Sequence, residues 1–536
     1  MYRTIPELLL GAADRDRDGV WLRTDDVSLT FGAAAGRVGA TARALRESGV
    51  RAGDLVLMTA ENTAGYLLCW LGLVSIGAIA VTANPRGTRA ELDGLAGQTR
   101  PAAVITGGDL RAWFPRCRVL DVAELTAGTL GPGEAGSLAG AVRPEDVAVL
   151  IPTSGTTGRA KLVMQTHRAY TMAGEGFPFW MGLTARDRLM TSLPLFHINA
   201  PAYSVMGSLA IGAGLVLLPR FSASGFLDAA RRHGATEFNA IGAMLEILMR
   251  QPPRPDDADT PLRLCYTGPA PTRQRQEEIE RRFGLRIVCG YALSESPYGL
   301  IWPHGTRPFG TLGAPRQHPT LGTVNRAKVV DDDGVALGPG GTGELLLSNP
   351  VVTPGYWGMP DETAATIVDG WLHTGDLVTV NADGTYTFLV RRKEVLRRRG
   401  ENLSPLEVEE ALLSHPAVQD CAVVGVPSEL SEEDVKAFVV LAPGQHAGFP
   451  ELHSWAAERL AAFKVPRFWQ LVDALPRTPT ARVAKHLLPD GHPPGEYDAE
   501  ATPATNPGTP NPADGPATPS RADPGTPSRA DGPSAQ

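Results

Sequence analysis

The sequence predicts an α/β protein: a large N-terminal domain of parallel and mixed sheets with a small antiparallel, barrel-like part, followed by a small α+β C-terminal domain. Three observations carry that prediction. Apolar, β-rich runs ("LVLMTA", "AAVITG", "VAVLIPT", "GLVLLP", "RIVCGYA") alternate with helical stretches such as "AAAGRVGATARALRES" and "ASGFLDAARRHG", the pattern of buried, largely parallel strands joined by helices. After about residue 320 the texture changes. "AKVVDDDGVALGPGGTGELLLSN" and "GTYTFLVRR" alternate in hydropathy and turn on Asp-Gly and Gly-Gly, which predicts antiparallel hairpins. From about Pro405, helix "PLEVEEALLSH", strands "DCAVVGVP" and "KAFVVLAP" and helix "FPELHSWAAERLAAF" make a compact α+β pattern.

The boundaries are set at 1–390 for the large domain, 391–498 for the small one and 499–536 for a tail. The tail is rich in Pro, Gly, Ala, Thr and Ser, and repeats "TPSRAD". It lacks the large apolar side chains that offset ordering entropy, so it is expected to be disordered and without catalytic duty. A chain of 536 residues is too long for one ordinary domain, and 43% hydrophobic residues suffice for large cores. The most apolar stretch, "LLCWLGLVSIGAIAVTANP" (Leu67–Pro85), is interrupted by Gly72 and Gly77 and falls short of the ~20 unbroken apolar residues of a membrane span. It reads as a buried helix running into a buried strand, so no membrane insertion is expected.

Acids outnumber bases 58 to 50, a net charge of −8, which argues against a nucleic-acid partner. The five cysteines (Cys69, Cys117, Cys265, Cys289, Cys421) form no C-x-x-C pair, so neither a zinc site nor a disulfide framework is indicated. The N-terminal stretch carries acids where a signal peptide has its cleavage site. A cytoplasmic location is expected.

The chemistry centres on "TSGTTGRAKLV", Thr153–Val163, directly after an apolar run. A Walker A loop needs G-x-x-x-x-G-K-[ST]; here Ala160 stands five positions after Gly155 and Leu162 follows Lys161, so that register fails. The composition still suits phosphate. Gly155 and Gly158 let backbone amides approach anionic oxygens, Ser154, Thr156 and Thr157 add hydroxyls, and Arg159 and Lys161 add positive charge. The alternative for this segment alone is a surface turn.

Other segments extend the pattern: "YTGPAP" (Tyr266–Pro271), "GYALSES" (Gly290–Ser296), "GWLHTGDL" (Gly370–Leu377), "RRKEVLRRRGENLSPLEVE" (Arg391–Glu409) and "PRTPTARVAKHLL" (Pro476–Leu488). Together they resemble, in order, the motifs of the adenylate-forming superfamily, over roughly residues 5–490. "SLPLFHINA" resembles the acyl-CoA ligases, with the carnitine/crotonobetaine-type branch nearest in texture.

The resemblance implies that an acid is joined to the α-phosphate of ATP with release of pyrophosphate, then passed to CoA. It assigns Thr153, Ser154, Gly155, Thr156, Thr157, Gly158 and Lys161 to the β- and γ-phosphates. Gly268, Pro269 and Ala270 cradle the adenine beside Tyr291, Ser294 meets the α-phosphate, and Glu295 is the Mg²⁺ ligand, a hard oxygen suited to that ion. Asp376 accepts the ribose hydroxyls at a strand end, Arg391 reaches the nucleotide, and Lys485 bridges the acid and the α-phosphate. His197 resembles the gate of the acid pocket, its other reading being a core histidine; Asn199, Gly242 and Tyr298 fall in segments expected to wall that pocket. The resemblance also makes the C-terminal domain mobile, with Lys393 at a hinge and Gly400 and Glu401 lining the pantetheine tunnel.

Several departures stand out. Val390 precedes Arg391 where the family usually has Asp or Gly, and Ala481 and Arg482 replace the usual Gly and Lys before Lys485. The cations Arg391, Arg392, Lys393, Arg397, Arg398 and Arg399 read either as a solvated run or as a phosphate attractor. The expected partners are a small or medium acid, ATP and CoA. Alternatives with the same adenylation chemistry are loading of a carrier protein, amide formation, and activation of nitrite leading to diazotisation of an aromatic amine. The sequence sets neither the acid nor the oligomeric state.

Overall fold

The computed structural model describes residues 2–128, 142–153, 160–268, 270–398, 401–427, 433–477, 483–489, 491–493 and 495–501. The described chain divides into two compact units, Met1–Glu394 with Arg477–Val483, and Val395–Pro476 with the chain from Ala484.

The first unit holds two layered α/β sheets. In one, strands Leu55–Thr59, Ile79–Thr82, Ala103–Thr106, Val119–Asp121 and Val147–Thr153 run parallel, and Lys161–Thr166 closes the edge antiparallel to Val147–Thr153. In the other, a parallel centre (Val20–Arg23, Gly214–Leu217, Arg188–Thr191, Glu237–Asn239, Leu264–Thr267, Arg286–Leu293) is flanked by antiparallel Ser28–Thr30 on one side and Ser296–Ile301 on the other. Strands such as Leu55–Thr59, Ile79–Thr82, Ala103–Thr106 and Gly214–Leu217 are buried on both faces, which is why they read as apolar runs rather than as alternation.

Ala64–Ser75 is a buried helix and Ile79–Thr82 the buried strand after it, as the apolar stretch predicts. The helix is apolar on every face because it is enclosed on every face. Gly72 sits where an added Cβ would lie 3.0 Å from Thr41 Cγ2, so its lack of a side chain sets the approach of helix Phe31–Glu47. Thr63 caps the helix by accepting the Tyr66 amide. Among the described residues, no helix is long and apolar enough to cross a membrane.

The expected antiparallel part is a third sheet in which Arg326–Val330, Thr342–Ser348 and Trp371–Val380 pair in turn. Ala336–Leu337, Ile367–Val368 and Tyr386–Arg391 complete it. Its pairings are antiparallel throughout, and it packs its own core of Leu300, Val329, Leu345, Leu347, Leu372 and Val378.

The second unit packs helices Pro405–Leu413 and Phe449–Ala457 on a sheet ordered Val418–Pro427, Glu433–Leu441, Phe468–Leu471, Tyr497–Asp498. The second helix ends at Ala457, short of the predicted run to Phe463. Ala499 and Glu500, assigned to the tail by composition, belong to this unit. The Ala499 amide donates to Arg467 O at 2.9 Å, and Glu500 pairs with the buried Arg398 at 3.2 Å.

Candidate active site

Five segments of the first unit contribute a set of polar side chains. Strand Arg286–Leu293 delivers Tyr291 and turns through Ser294 and Glu295 into Ser296–Ile301. Strand Trp371–Val380 carries Asp376 and pairs it directly with Arg391 on Tyr386–Arg391. Strand Lys161–Thr166 and the segment Thr353–Trp357 complete the set.

Asp376 lies inside its ten-residue strand, not at a strand end. The strand bulges there, with Gly375 at φ +71°, a left-handed conformation that glycine adopts without Cβ strain. The Gly375 amide donates to Glu344 Oε1 at 2.9 Å and the Thr374 hydroxyl to Leu345 O at 2.6 Å, pinning the bulge to the neighbouring strand. Asp376 is thereby turned inward, 2% exposed, where Oδ2 accepts the Tyr291 hydroxyl at 2.5 Å and Oδ1 accepts Arg391 Nε at 2.8 Å. Burial, reinforced by the Asp376 charge, holds the Tyr291 hydroxyl far above its ordinary value, so it stays a donor. For Arg391, burial pulls downward, but the hydrogen bond and charge of Asp376 outweigh it and keep the guanidinium charged.

Glu295 Oε1 accepts the Tyr356 hydroxyl at 2.9 Å, while its backbone carbonyl accepts the Thr353 amide at 2.7 Å. Lys161 Nζ lies 4.6 Å from the centroid of the same Tyr356 ring. Gln165 Nε2 donates to Ser294 O, tying the strand of Lys161 to the Ser294–Glu295 turn. Tyr356 and Gln165 were not singled out by sequence. Their partners lie 61 and 129 residues away in the chain, and no local spacing announces such contacts.

Thr153 and Lys161 are cross-strand partners that close the hairpin, with the Thr153 hydroxyl 3.4 Å from Lys161 O. Ser154, Gly155, Thr156, Thr157 and Gly158 between them lie outside the described residues, as does Pro269. Gly268 ends the run from Leu264, and a Cβ there would stand 2.4 Å from Gly290 O, so only glycine fits between these strand ends. Ala270 is half-buried against the core.

The loop of His197 and Asn199 is fastened from a distance. Asn62 Nδ2 donates to Leu193 O at 2.8 Å, Asn62 Oδ1 accepts the Leu195 amide at 2.9 Å, and the Thr82 hydroxyl donates to Phe196 O at 2.8 Å. His197 tilts against Phe196, ring centroids 4.5 Å apart, and Asn199 Oδ1 accepts Asn239 Nδ2 at 2.8 Å. One turn of π-helix follows at Ala200–Val205. Gly242 opens helix Gly242–Met249. Tyr298, expected on a pocket wall, is a core residue: it is fully buried, its hydroxyl donates to Met172 O at 3.0 Å, and its ring meets Trp180 edge-on.

In the second unit, Lys485 Nζ pairs with Glu409 at 2.8 Å, and Glu409 Oε1 also accepts the Val423 amide at 2.8 Å. Arg398, from the cationic run, is buried against Asp434 at 2.9 Å and accounts for itself as a structural ion pair. Arg392, in the first unit, pairs with the exposed Asp332. Glu401 opens strand Glu401–Leu403 and Lys393 lies in the turn Arg392–Glu394, but neither side chain is among those described. Gly400, Ala481 and Arg482 lie outside the described residues.

Comparison with known proteins matches residues 11–357 to the AMP-binding enzyme family and residues 407–482 to the AMP-binding enzyme C-terminal domain. The crotonobetaine/carnitine–CoA ligase of Salmonella agona is 31% identical over 474 residues, covering 84% of this chain and 90% of the relative. Among solved structures, the o-succinylbenzoate CoA synthetase of Bacillus subtilis with its acyl-adenylate intermediate superposes with a TM-score of 0.81 at 26% identity, covering 92% of this chain and 99% of that one. An anthranilate CoA ligase in complex with anthranoyl-AMP gives 0.80 at 25% identity, covering 91% and 96%.

Proposed function

The chain belongs to the AMP-binding enzyme family, and on that premise we propose that it is an AMP-forming acid–CoA ligase. A carboxylate oxygen attacks the α-phosphorus of ATP, the bond to pyrophosphate breaks, and an acyl-adenylate forms. The sulfur of CoA then attacks the acyl carbon, the carbon–oxygen bond to AMP breaks, and the thiol proton is lost as AMP leaves. Two anions must meet in the first step, so alignment and charge neutralisation dominate its barrier.

The observation that carries this reading is the Tyr291–Asp376–Arg391 node: a buried carboxylate, fixed at both oxygens, beside a guanidinium that remains charged. A carboxylate so held accepts the paired hydroxyls of a ribose, and the adjacent arginine suits its phosphates. Gly268, Pro269 and Ala270 are assigned to the adenine on the ground of their motif. Ser294 hydrogen-bonds the α-phosphate, and Lys161 serves the terminal phosphates. Glu295 would hold a magnesium ion through Oε2, because Oε1 is committed to Tyr356 while Oε2 accepts no hydrogen bond among the described residues, and the ion would supply neutralisation of phosphate charge. His197 and Asn199 face the acid. Lys485 supplies positive charge in adenylation, a role that rests on its motif. Lys393, Gly400 and Glu401 are assigned to the hinge and thiol path on the same ground. CoA is the acceptor proposed over a carrier protein.

The test is a panel: purified full chain with ATP and Mg²⁺, candidate acids including nitrite, and AMP, pyrophosphate and thioester measured with CoA, with a phosphopantetheinylated carrier protein, and with neither. AMP and pyrophosphate with a CoA thioester are expected. ADP and phosphate would overturn adenylation, and a thioester formed only on a carrier protein would move the acceptor.

A further inference from the structure

The geometry points to Tyr356 as a positioning residue that couples the metal carboxylate Glu295 to the phosphate-side lysine Lys161. The inference rests on the adenylation reading above and adds to it a residue outside the motifs that suggested it.

Tyr356 is 6% exposed and is held by its backbone as firmly as a strand residue. It bridges to Val163, the Trp357 amide donates to Leu162 O at 2.9 Å, and the Met164 amide donates to Gly355 O at 3.0 Å. Its own amide donates to the Thr363 hydroxyl at 2.9 Å. The ring is therefore fixed relative to the strand that begins at Lys161. Two functional groups touch that ring. The hydroxyl donates to Glu295 Oε1, and the Lys161 ammonium sits over the face, where the ring quadrupole attracts it.

The arrangement has a directional consequence. A hydrogen bond to Oε1 stops rotation of the carboxylate and leaves Oε2 as the oxygen able to meet a cation. Outer partners of this kind typically change metal affinity by about ten- to hundredfold when removed. The ring face restrains Lys161 independently of the hydroxyl. One side chain thus carries two separable tasks.

Tyr356→Phe removes the hydroxyl and keeps the face; Tyr356→Leu removes both. Binding of α,β-methylene-ATP to the full chain, without acid or CoA, is followed by calorimetry as Mg²⁺ is titrated, so no turnover is involved. In Tyr356→Phe the magnesium concentration for half of the affinity gain should rise about tenfold. Its magnesium-free affinity should stay within about twofold of wild type, because the ring face is kept. Tyr356→Leu should add a magnesium-free loss of about two- to fivefold. A Tyr356→Phe titration superimposable on wild type overturns the inference. So does a loss equal with and without magnesium, which marks a structural role only. If Tyr356→Leu fails to fold, judged by its melting curve, Tyr356→Phe decides alone. Glu295→Gln separates this inference from the one beneath it. A wild-type magnesium response surviving in Glu295→Gln removes Glu295 as the metal ligand, and the role of Tyr356 falls with it; a response lost in Glu295→Gln but intact in Tyr356→Phe removes only Tyr356.

Discussion

Replacing Asp376 by Asn tests the proposed nucleotide site at a carboxylate fixed at both oxygens. The carboxylate is 2% exposed and engaged at both oxygens. Asn keeps one acceptor for Arg391 and turns an amide toward Tyr291, whose hydroxyl can reverse and accept. What is lost is the charge. Hydrogen bonds to charged groups contribute about 1.5–3 kcal/mol against about 0.5–1.5 for neutral ones. The Arg391 side chain is 45% exposed, so water recovers part of the difference. A net loss of ~1–2 kcal/mol follows, and the melting temperature should fall by roughly 1–2 °C. The effect on nucleotide should be larger, because Asn offers the ribose one acceptor where Asp offers two, and no charge. We expect KM for ATP to rise about ten- to hundredfold. Initial rates of AMP release with ATP, 2′-deoxy-ATP and 3′-deoxy-ATP distinguish the ribose from a general effect. Each deoxynucleotide should penalise the wild type strongly and the variant by no more than about threefold, the non-additivity of two changes to one contact. Penalties that simply multiply would show that Asp376 does not meet the ribose.

Three further outcomes are expected. Lys485→Ala should lower acyl-adenylate formation by on the order of 10²–10³, while supplied acyl-adenylate and CoA still give thioester; equal losses in the two half-reactions, assayed separately, would refute a role confined to adenylation. A chain ending after Ala501 should match full length in kcat and melting temperature, whereas one ending after Asp498 loses the Arg398–Glu500 pair and the Ala499 amide bond and should melt about 1–3 °C lower; identical melting of the two would show those contacts idle. His167 is buried and accepts the Ile5 amide, and burial draws its pKa from 6.5 to about 4. The unfolded chain therefore takes up this proton first. Stability is complete above pH 6.5 and declines as pH falls toward about 4, by on the order of 3 kcal/mol; His167→Gln should flatten the fall in melting temperature over that window, and an unchanged slope would exclude His167 as its source.

The α/β layering was legible because its signal is local. Buried parallel strands are continuous apolar runs, and the hairpins announce themselves by Asp-Gly and Gly-Gly turns. Asp376 and Tyr291 were legible for another reason: each lies in a motif that fixes its type. Their meeting was not, because it depends on a bulge at Gly375 that re-aims the strand. Tyr298 shows the converse limit of local reading: its segment suggested a pocket wall, and no spacing announced that its hydroxyl would meet the Met172 carbonyl at 3.0 Å, 126 residues away. The tail boundary slipped by a few residues because composition averages over a window, whereas Glu500 is held by a single buried arginine.

The fastening of the His197 loop bears on how such a catalyst changes its diet. Asn62 and Thr82 grip carbonyls and an amide of residues 193, 195 and 196, atoms that every amino acid except proline at the amide position provides. The clamp is therefore indifferent to the side chains it displays. If the loop walls the acid pocket as proposed, substitutions at 196–198 would redraw the surface offered to an acid while the loop keeps its course, whereas Leu195 is held in the core and Asn199 by Asn239.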